Sequence, residues 1–143
     1  MTDDDPYGLE RFIAAQDAAG TYQRAVQELR QGCKATHWMW FVFPQIAGLG
    51  QSPTSRAFAI SSLEEARAYL RHPVLGPRLV ECARIVVAGK SGNATRIFGG
   101  IDAQKLQSSM TLFMRAAPEE PLFRQVLDRF FDGRTDVGTD QRL

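Results

Sequence analysis

The side chains with the most chemistry to offer fall in two short strings. Lys34, His37, Trp38, Trp40 and Gln45 lie in the first, and Asp102, Lys105, Ser108 and Ser109 in the second. Indoles supply flat walls for a ring, ammonium groups pair with an anion, and amides and hydroxyls orient a ligand through hydrogen bonds. Together they suit a small anionic, nucleotide-like molecule, with Lys34, Trp38, Trp40, Gln45, Lys105, Ser108 and Ser109 binding it. Hydrolysis of that molecule, or transfer of a group from it, would fall first to His37, because imidazole is the side chain that titrates nearest neutral pH. Asp102 is the second candidate, although it also stands where a helix N-cap belongs. Two competing readings use the same residues. In one the tryptophans are ordinary core and the serines bond backbone carbonyls. In the other the tryptophan-rich element is a non-enzymatic protein-interaction surface.

Other chemistries find less support. A nucleophilic mechanism needs a hydroxyl or thiol beside a base. Ser108, Ser109, Thr111 and Cys33 are available, with His37 as the promising imidazole, but the chain has no G-x-S-x-G elbow. His37 and His72 stand far apart without clustered carboxylates, which does not make a metal shell. Gly48-Leu49-Gly50 has too few glycines for a dinucleotide fingerprint. Gly89-Lys90-Ser91 matches only the end of a Walker motif, since Arg84 takes the place of its first glycine and Ile85 to Ala88 fill the positions that would wrap phosphate. Neither a metal nor a cofactor is expected.

The elements that must position these residues read as helices. Leu9, Phe12, Ile13 and Gln16 share one face of a first helix, turning an amide inward. After Gly20, Thr21 is placed to cap a second helix with Tyr22, Val26 and Leu29 on one side, ended by Gly32. The tryptophan stretch, with Thr36 as N-cap and Pro44 as stop, reads as a central helix. Its His37, Trp40 and Phe41 share one face and its Trp38, Met39 and Val42 the other, both of them covered. Residues 44–55 form the longest loop. Ser61 with Glu64 and Ser62 with Glu65 match a capping box, ahead of a helix that stops at His72-Pro73, where His72 suits the negative end of the helix dipole. Leu75, Leu79, Cys82 and Val86 give a long helix, Ala94 to Phe98 a short one, and Leu106, Met110 and Phe113 the core face of the next. Leu122, Val126, Leu127 and Phe130 fill the inner side of a last helix ended by Gly133. The expected fold is all-α, a single multihelical domain over residues 1–143 with about six or seven helices around the tryptophan-rich one, and with 1–7 and 134–143 as loose tails. An α+β arrangement with Ile85 to Ala88 as a strand is the alternative.

Composition bounds the rest. A chain of 143 residues is the usual size of one domain. Seventeen basic against sixteen acidic side chains leave a formal charge of +1, so no global field draws in nucleic acid or an anionic membrane. The six apolar residues from Trp38 to Phe43 fall far short of a membrane span of roughly 18 to 20. Cys33 and Cys82 lack zinc spacing and read as reduced thiols, and the acidic start, Thr2 to Pro6, carries no apolar run. A cytoplasmic location is expected, with a small anionic ligand as the partner and no protein partner identifiable.

Several strings carry a family resemblance. Arg11-Phe12-Ile13-Ala14-Ala15-Gln16, Gly32-Cys33-Lys34-Ala35-Thr36-His37-Trp38-Met39-Trp40-Phe41-Val42-Phe43-Pro44-Gln45, Gly48-Leu49-Gly50, His72-Pro73-Val74-Leu75-Gly76, Ile97-Phe98-Gly99 and Lys105 to Phe113 together resemble a family of small bacterial proteins of unknown function. Some members carry the label "calpastatin". The resemblance spans nearly the whole chain and implies a multihelical domain with no known activity. The label conflicts with the physics, since such an inhibitor is a disordered, charged repeat, and this chain is 44% hydrophobic without a repeat. A fainter likeness is to the helical domain family tied to NAD and ADP-ribose metabolism, which offers a lead for the ligand class.

Overall fold

The computed structural model describes residues 5–143. In chain order it comprises α1 (Glu10–Asp17), a 3-10 turn (Ala18–Gly20), α2 (Thr21–Gln31), α3 (Met39–Val42), α4 (Pro53–Ala57), α5 (Leu63–Arg71), α6 (Leu75–Ala88), α7 (Ala94–Phe98), α8 (Gly100–Ala116), α9 (Pro121–Phe131) and α10 (Val137–Asp140). Among the described residues six helices have eight residues or more, and there is no strand. The fold is all-α. A bridged pair, Ile46 and Ile60, ties the two ends of the loop between α3 and α5 through Ala47 N–H to Ile60 O and Ile60 N–H to Gln45 O, each at 2.8 Å.

Local chemistry explains most boundaries. Ser62 caps α5 by accepting from the Glu65 N–H, as the spacing predicts, while the Glu65 carboxylate reaches one residue past the cap, to the Ser61 N–H and hydroxyl. Gly32 closes α2 in the left-handed conformation, and Pro121 opens α9 behind the Glu120 cap. Gly76 has a packing reason. A Cβ there would lie 2.1 Å from the Leu70 carbonyl oxygen, so α6 meets the end of α5 only through glycine. His72 acts otherwise than its place at the end of α5 suggests: its Nδ1 accepts from the Val74 and Leu75 N–H groups and so caps the start of α6.

The centre of the molecule is α8, not the tryptophan stretch. Leu106, Met110 and Phe113 are buried as expected, but so are Ser109, Thr111 and Leu112, because α5, α7, α9 and α10 all pack on this helix. One apolar cluster runs from Leu9 to Leu127, and each fully buried Leu or Phe in it contributes about 1.5–3 kcal/mol. The expected central helix is a single turn, Met39–Val42. Thr36 does not cap it, since the Thr36 hydroxyl and N–H both donate to Glu28 and hold the preceding residues in a loop. The two faces are nevertheless distinct: Trp38, Met39 and Val42 are buried, Trp40 and Phe41 half-buried, and His37 exposed.

Three further expectations are corrected. Thr21 is the first residue of α2, and its hydroxyl donates to the Ala18 carbonyl instead of accepting as a cap. The loop from Pro44 contains α4, started by the Ser52 cap and Pro53. Residues 134–143, read as a loose tail, dock on α8: Asp140 pairs with Arg115 at 3.0 Å, the Asp136 N–H donates to Thr111 at 2.9 Å, and Thr139 is fully buried. Of the other expected tail, residues 1–4 lie outside the described residues, while Asp5 accepts from the Leu9 and Glu10 N–H groups at the start of α1.

Candidate functional site

The loop that presents the first string is built by one carboxylate. Glu28 sits on the inner face of α2, and there its oxygens accept from the Ala35 N–H, the Thr36 N–H and hydroxyl, and the Trp38 indole N–H at 2.6–3.0 Å. Burial pushes its carboxyl up, but the hydrogen bonds from Thr36, Ala35 and Trp38 outweigh this and hold it at about 2. The result fixes residues 35–38 against α2 and buries Trp38 completely. A backbone bond of 2.7 Å from Lys34 N–H to Ile97 O joins the same loop to α7.

From that anchored loop Lys34 reaches α8. Its ammonium lies 2.9 Å from one oxygen of Asp102 and donates to the Thr36 carbonyl, with the side chain only 7% exposed and the amine 5.1 Å from the Trp38 ring centre. The other Asp102 oxygen lies 3.2 Å from the Lys105 ammonium, which rests 4.3 Å over the Trp40 ring. Asp102 is therefore not the N-cap. The helix starts two residues earlier behind Gly99, and Asp102 in its first turn bridges two lysines from distant parts of the chain. This joins Lys34, Trp38, Trp40, Asp102 and Lys105 into one contiguous corner.

Beside the corner is a cleft of about 170 Å³ lined by Trp40, Gln45, Ser55, Arg56, Phe58 and the Gly48-Gly50 backbone. Gln45 thus shares the cleft with Trp40. The two serines lie elsewhere on the helix: the Ser108 hydroxyl donates to the Gln104 carbonyl, and the Ser109 hydroxyl is buried with no hydrogen-bond partner among the described residues. Neither lines the cleft. His37 is exposed just before Trp38, on the solvent side of the anchored loop. Among the described residues no group of three or more His, Cys, Asp and Glu side chains is placed to hold a metal ion.

Sequence reasoning passed over Glu28 and Arg56. Glu28 had a signal, since Tyr22, Ala25 and Leu29 form the buried stripe of α2 and Glu28 lies within it. A carboxylate on a core face demands donors. Arg56 had none, being one of many exposed arginines. Gln16, by contrast, behaves as its inward placement implies: its amide donates to the Phe41 carbonyl at 2.6 Å and to Tyr69, and accepts from Arg78. Those bonds hold α1 against the far end of the tryptophan turn.

Fold and site define a small all-helical domain in which Asp102 joins two lysines, each over one tryptophan, beside a small cleft bordered by Trp40. The chain belongs to the DUF1810 family of proteins of unknown function, whose family model matches residues 6–143, as the resemblance implies. It is similar to the conserved hypothetical protein Rv1873 from Mycobacterium tuberculosis, whose crystal structure matches with 49% identity and a TM-score of 0.94, over 97% of this chain and 98% of that one. No curated protein matches the chain.

Proposed function

We propose that the domain binds a small anionic, nucleotide-like molecule in the cleft beside Trp40. The observation that carries this reading is the charge balance of the corner: among the described residues two ammonium groups share the single carboxylate of Asp102, which leaves one positive charge in excess beside an aromatic wall. The cleft itself adds Arg56 and, among the described residues, no carboxylate. Placed cations of this kind recognise one anionic group without a field that would attract a polyanion, in keeping with the net charge of +1. Nucleic acid is therefore the poorer ligand. Asp102 is committed to two lysines and His37 does not line the cleft, so in a hydrolysis His37 would act as general base only toward a part of the ligand held outside it. The free thiols of Cys33 and Cys82 support a cytoplasmic location, and no helix among the described residues is long and apolar enough to cross a membrane.

Docking of a protein on the tryptophan element has weaker support. Trp38 is fully buried and Trp40 lies under Lys105, whereas the exposed large apolar side chains among the described residues are Ile101, Val137 and Leu143. A thermal-shift screen with AMP, ADP-ribose and NAD tests the ligand reading. A ligand at 100 times its Kd adds about 2.7 kcal/mol to stability. A shift that disappears in Trp40→Ala and shrinks in Lys105→Ala, which removes a charge near the cleft, is the expected result. No shift with any of the three sinks the reading, and a shift retained in both variants moves the site elsewhere.

A further inference from the structure

The ammonium of Lys105 covers the Trp40 ring but does not line the cleft, while Trp40 does. The part of the indole that a ligand meets therefore lies away from Lys105. An aromatic face attracts a cation through its negative quadrupole, and one cation already seated on the ring draws that density toward itself. A second cation stacked on the same indole loses the attraction and gains a like-charge repulsion. A neutral ring keeps its dispersion and stacking energy.

The surroundings act in the same direction. Arg56 lines the cleft, and among the described residues no carboxylate does. Arg142 lies against Gly48 at its edge, so close that a Cβ on Gly48 would stand 2.8 Å from the Arg142 Nε. The Arg142 guanidinium donates to the Gly138 carbonyl, a neutral partner. With a volume of about 170 Å³ the cleft takes one ring and little more, below the roughly 300 Å³ at which drug-sized pockets begin. The ring enters and its anionic substituent stays outside, within reach of the guanidinium groups.

We infer that the cleft selects ligands by the charge of their ring, accepting a neutral heterocycle that carries an anionic group and rejecting a cationic one of the same shape. The inference rests on the reading of the cleft as a ligand site and names the class of ligand it takes. Nicotinamide mononucleotide and its reduced form are suitable probes, because they share ribose and phosphate and differ in whether the ring is cationic or neutral. Titration calorimetry on the full chain is expected to show the reduced form binding at least about tenfold tighter, a like-charge penalty typical of partly buried sites. Lys105→Met keeps the apolar stem and removes the charge, and is expected to narrow the gap to less than about threefold by freeing the indole for a cation. Arg56→Gln, on an exposed position, is expected to narrow it by a smaller factor without disturbing the fold. Equal or tighter binding of the oxidised form by the unmodified protein overturns the inference, as does a gap unchanged in both variants. AMP separates the two levels of failure. If AMP and both mononucleotides fail to bind, the ligand site itself falls; if AMP binds and the mononucleotides do not differ, only the selection by ring charge does.

Discussion

Trp38 and Trp40 stand two residues apart and meet two different carboxylate environments. Glu28 faces the first with its charge spent on four neutral donors, and the indole N–H is one of them, so Trp38 is immobile and fully buried. Asp102 faces the second through Lys105, with its charge divided between two ammonium groups, and Trp40 remains half-buried at the mouth of a cleft. A carboxylate saturated by hydrogen bonds builds structure. A carboxylate outnumbered by cations leaves a corner with charge to offer a ligand.

The contrast breaks most visibly at the tryptophans themselves. Trp38→Ala is expected to cost about 3–5 kcal/mol of stability, the range for emptying a buried aromatic site, and it also leaves Glu28 short of a donor. Trp40→Ala is expected to cost about 1 kcal/mol, because its ring already faces solvent and one lysine, while abolishing the ligand shift. Urea unfolding of both variants measures the difference. Similar losses in the two would erase the distinction between a structural and an available indole.

Acid titration gives the next largest effect. The Glu28 carboxyl is held at about 2 in the folded chain against an ordinary value of 4.5, so its contribution to stability is complete above pH 4.5 and fades as the pH falls through 2. That contribution amounts to about 3 kcal/mol. Asp5 and Asp140 are also lowered, the first mainly by the Glu10 N–H and the second by Arg115, so acid unfolding of the unmodified protein sums several groups. Glu28→Gln isolates one of them. The difference in stability between the two proteins should shrink by that amount from pH 5 to pH 2, and a constant difference would show that Glu28 is not the acid-sensitive anchor.

Much of the scaffold was legible, and the reason lies in how local its determinants are. The cap at Ser62, the stop at Gly32 and the short helix before Gly99 are each decided within a few residues, and each forms as read. The tryptophan stretch was misread as a long helix because its conformation is set from outside. Glu28 takes the donors at Ala35, Thr36 and Trp38 that a helix start would otherwise have to satisfy, and nothing within the stretch announces that partner. Asp102 fails as an N-cap for a related reason, since Lys34 lies on another element and offers it a charge. The tail after Gly133 has the composition of a frayed end, yet Asp136, Thr139 and Asp140 find partners on α8 or among themselves. Of the candidate residues, spacing brought Lys34, Trp40, Asp102 and Lys105 into view as chemistry-bearing types. That they touch was not written in either string alone.

A further effect sharpens the comparison from the Asp102 side. Asp102→Asn leaves the nearly buried Lys34 without a counterion and should lower stability by about 2 kcal/mol. The same change adds a positive charge to the corner, so binding of AMP should tighten while the fold weakens. Stability and affinity moving in opposite directions is the signature of a carboxylate that competes with the ligand, and a parallel loss of both would assign Asp102 to direct ligand contact.

The packing of α8 on four other helices has a consequence for how the cleft opens. Amides of a helix covered on so many sides exchange with solvent only when the whole domain unfolds, whereas one turn of helix and a loop closed by two backbone bonds open on their own at a fraction of that free energy. Lys105 and Asp102 are rooted in the first of these, and Gln45, Ser55 and Phe58 belong to the second. The cleft is thus lined by the softer segment and only flanked by the harder one, so residues 44–60 are expected to open before the Asp102–Lys105 pair moves.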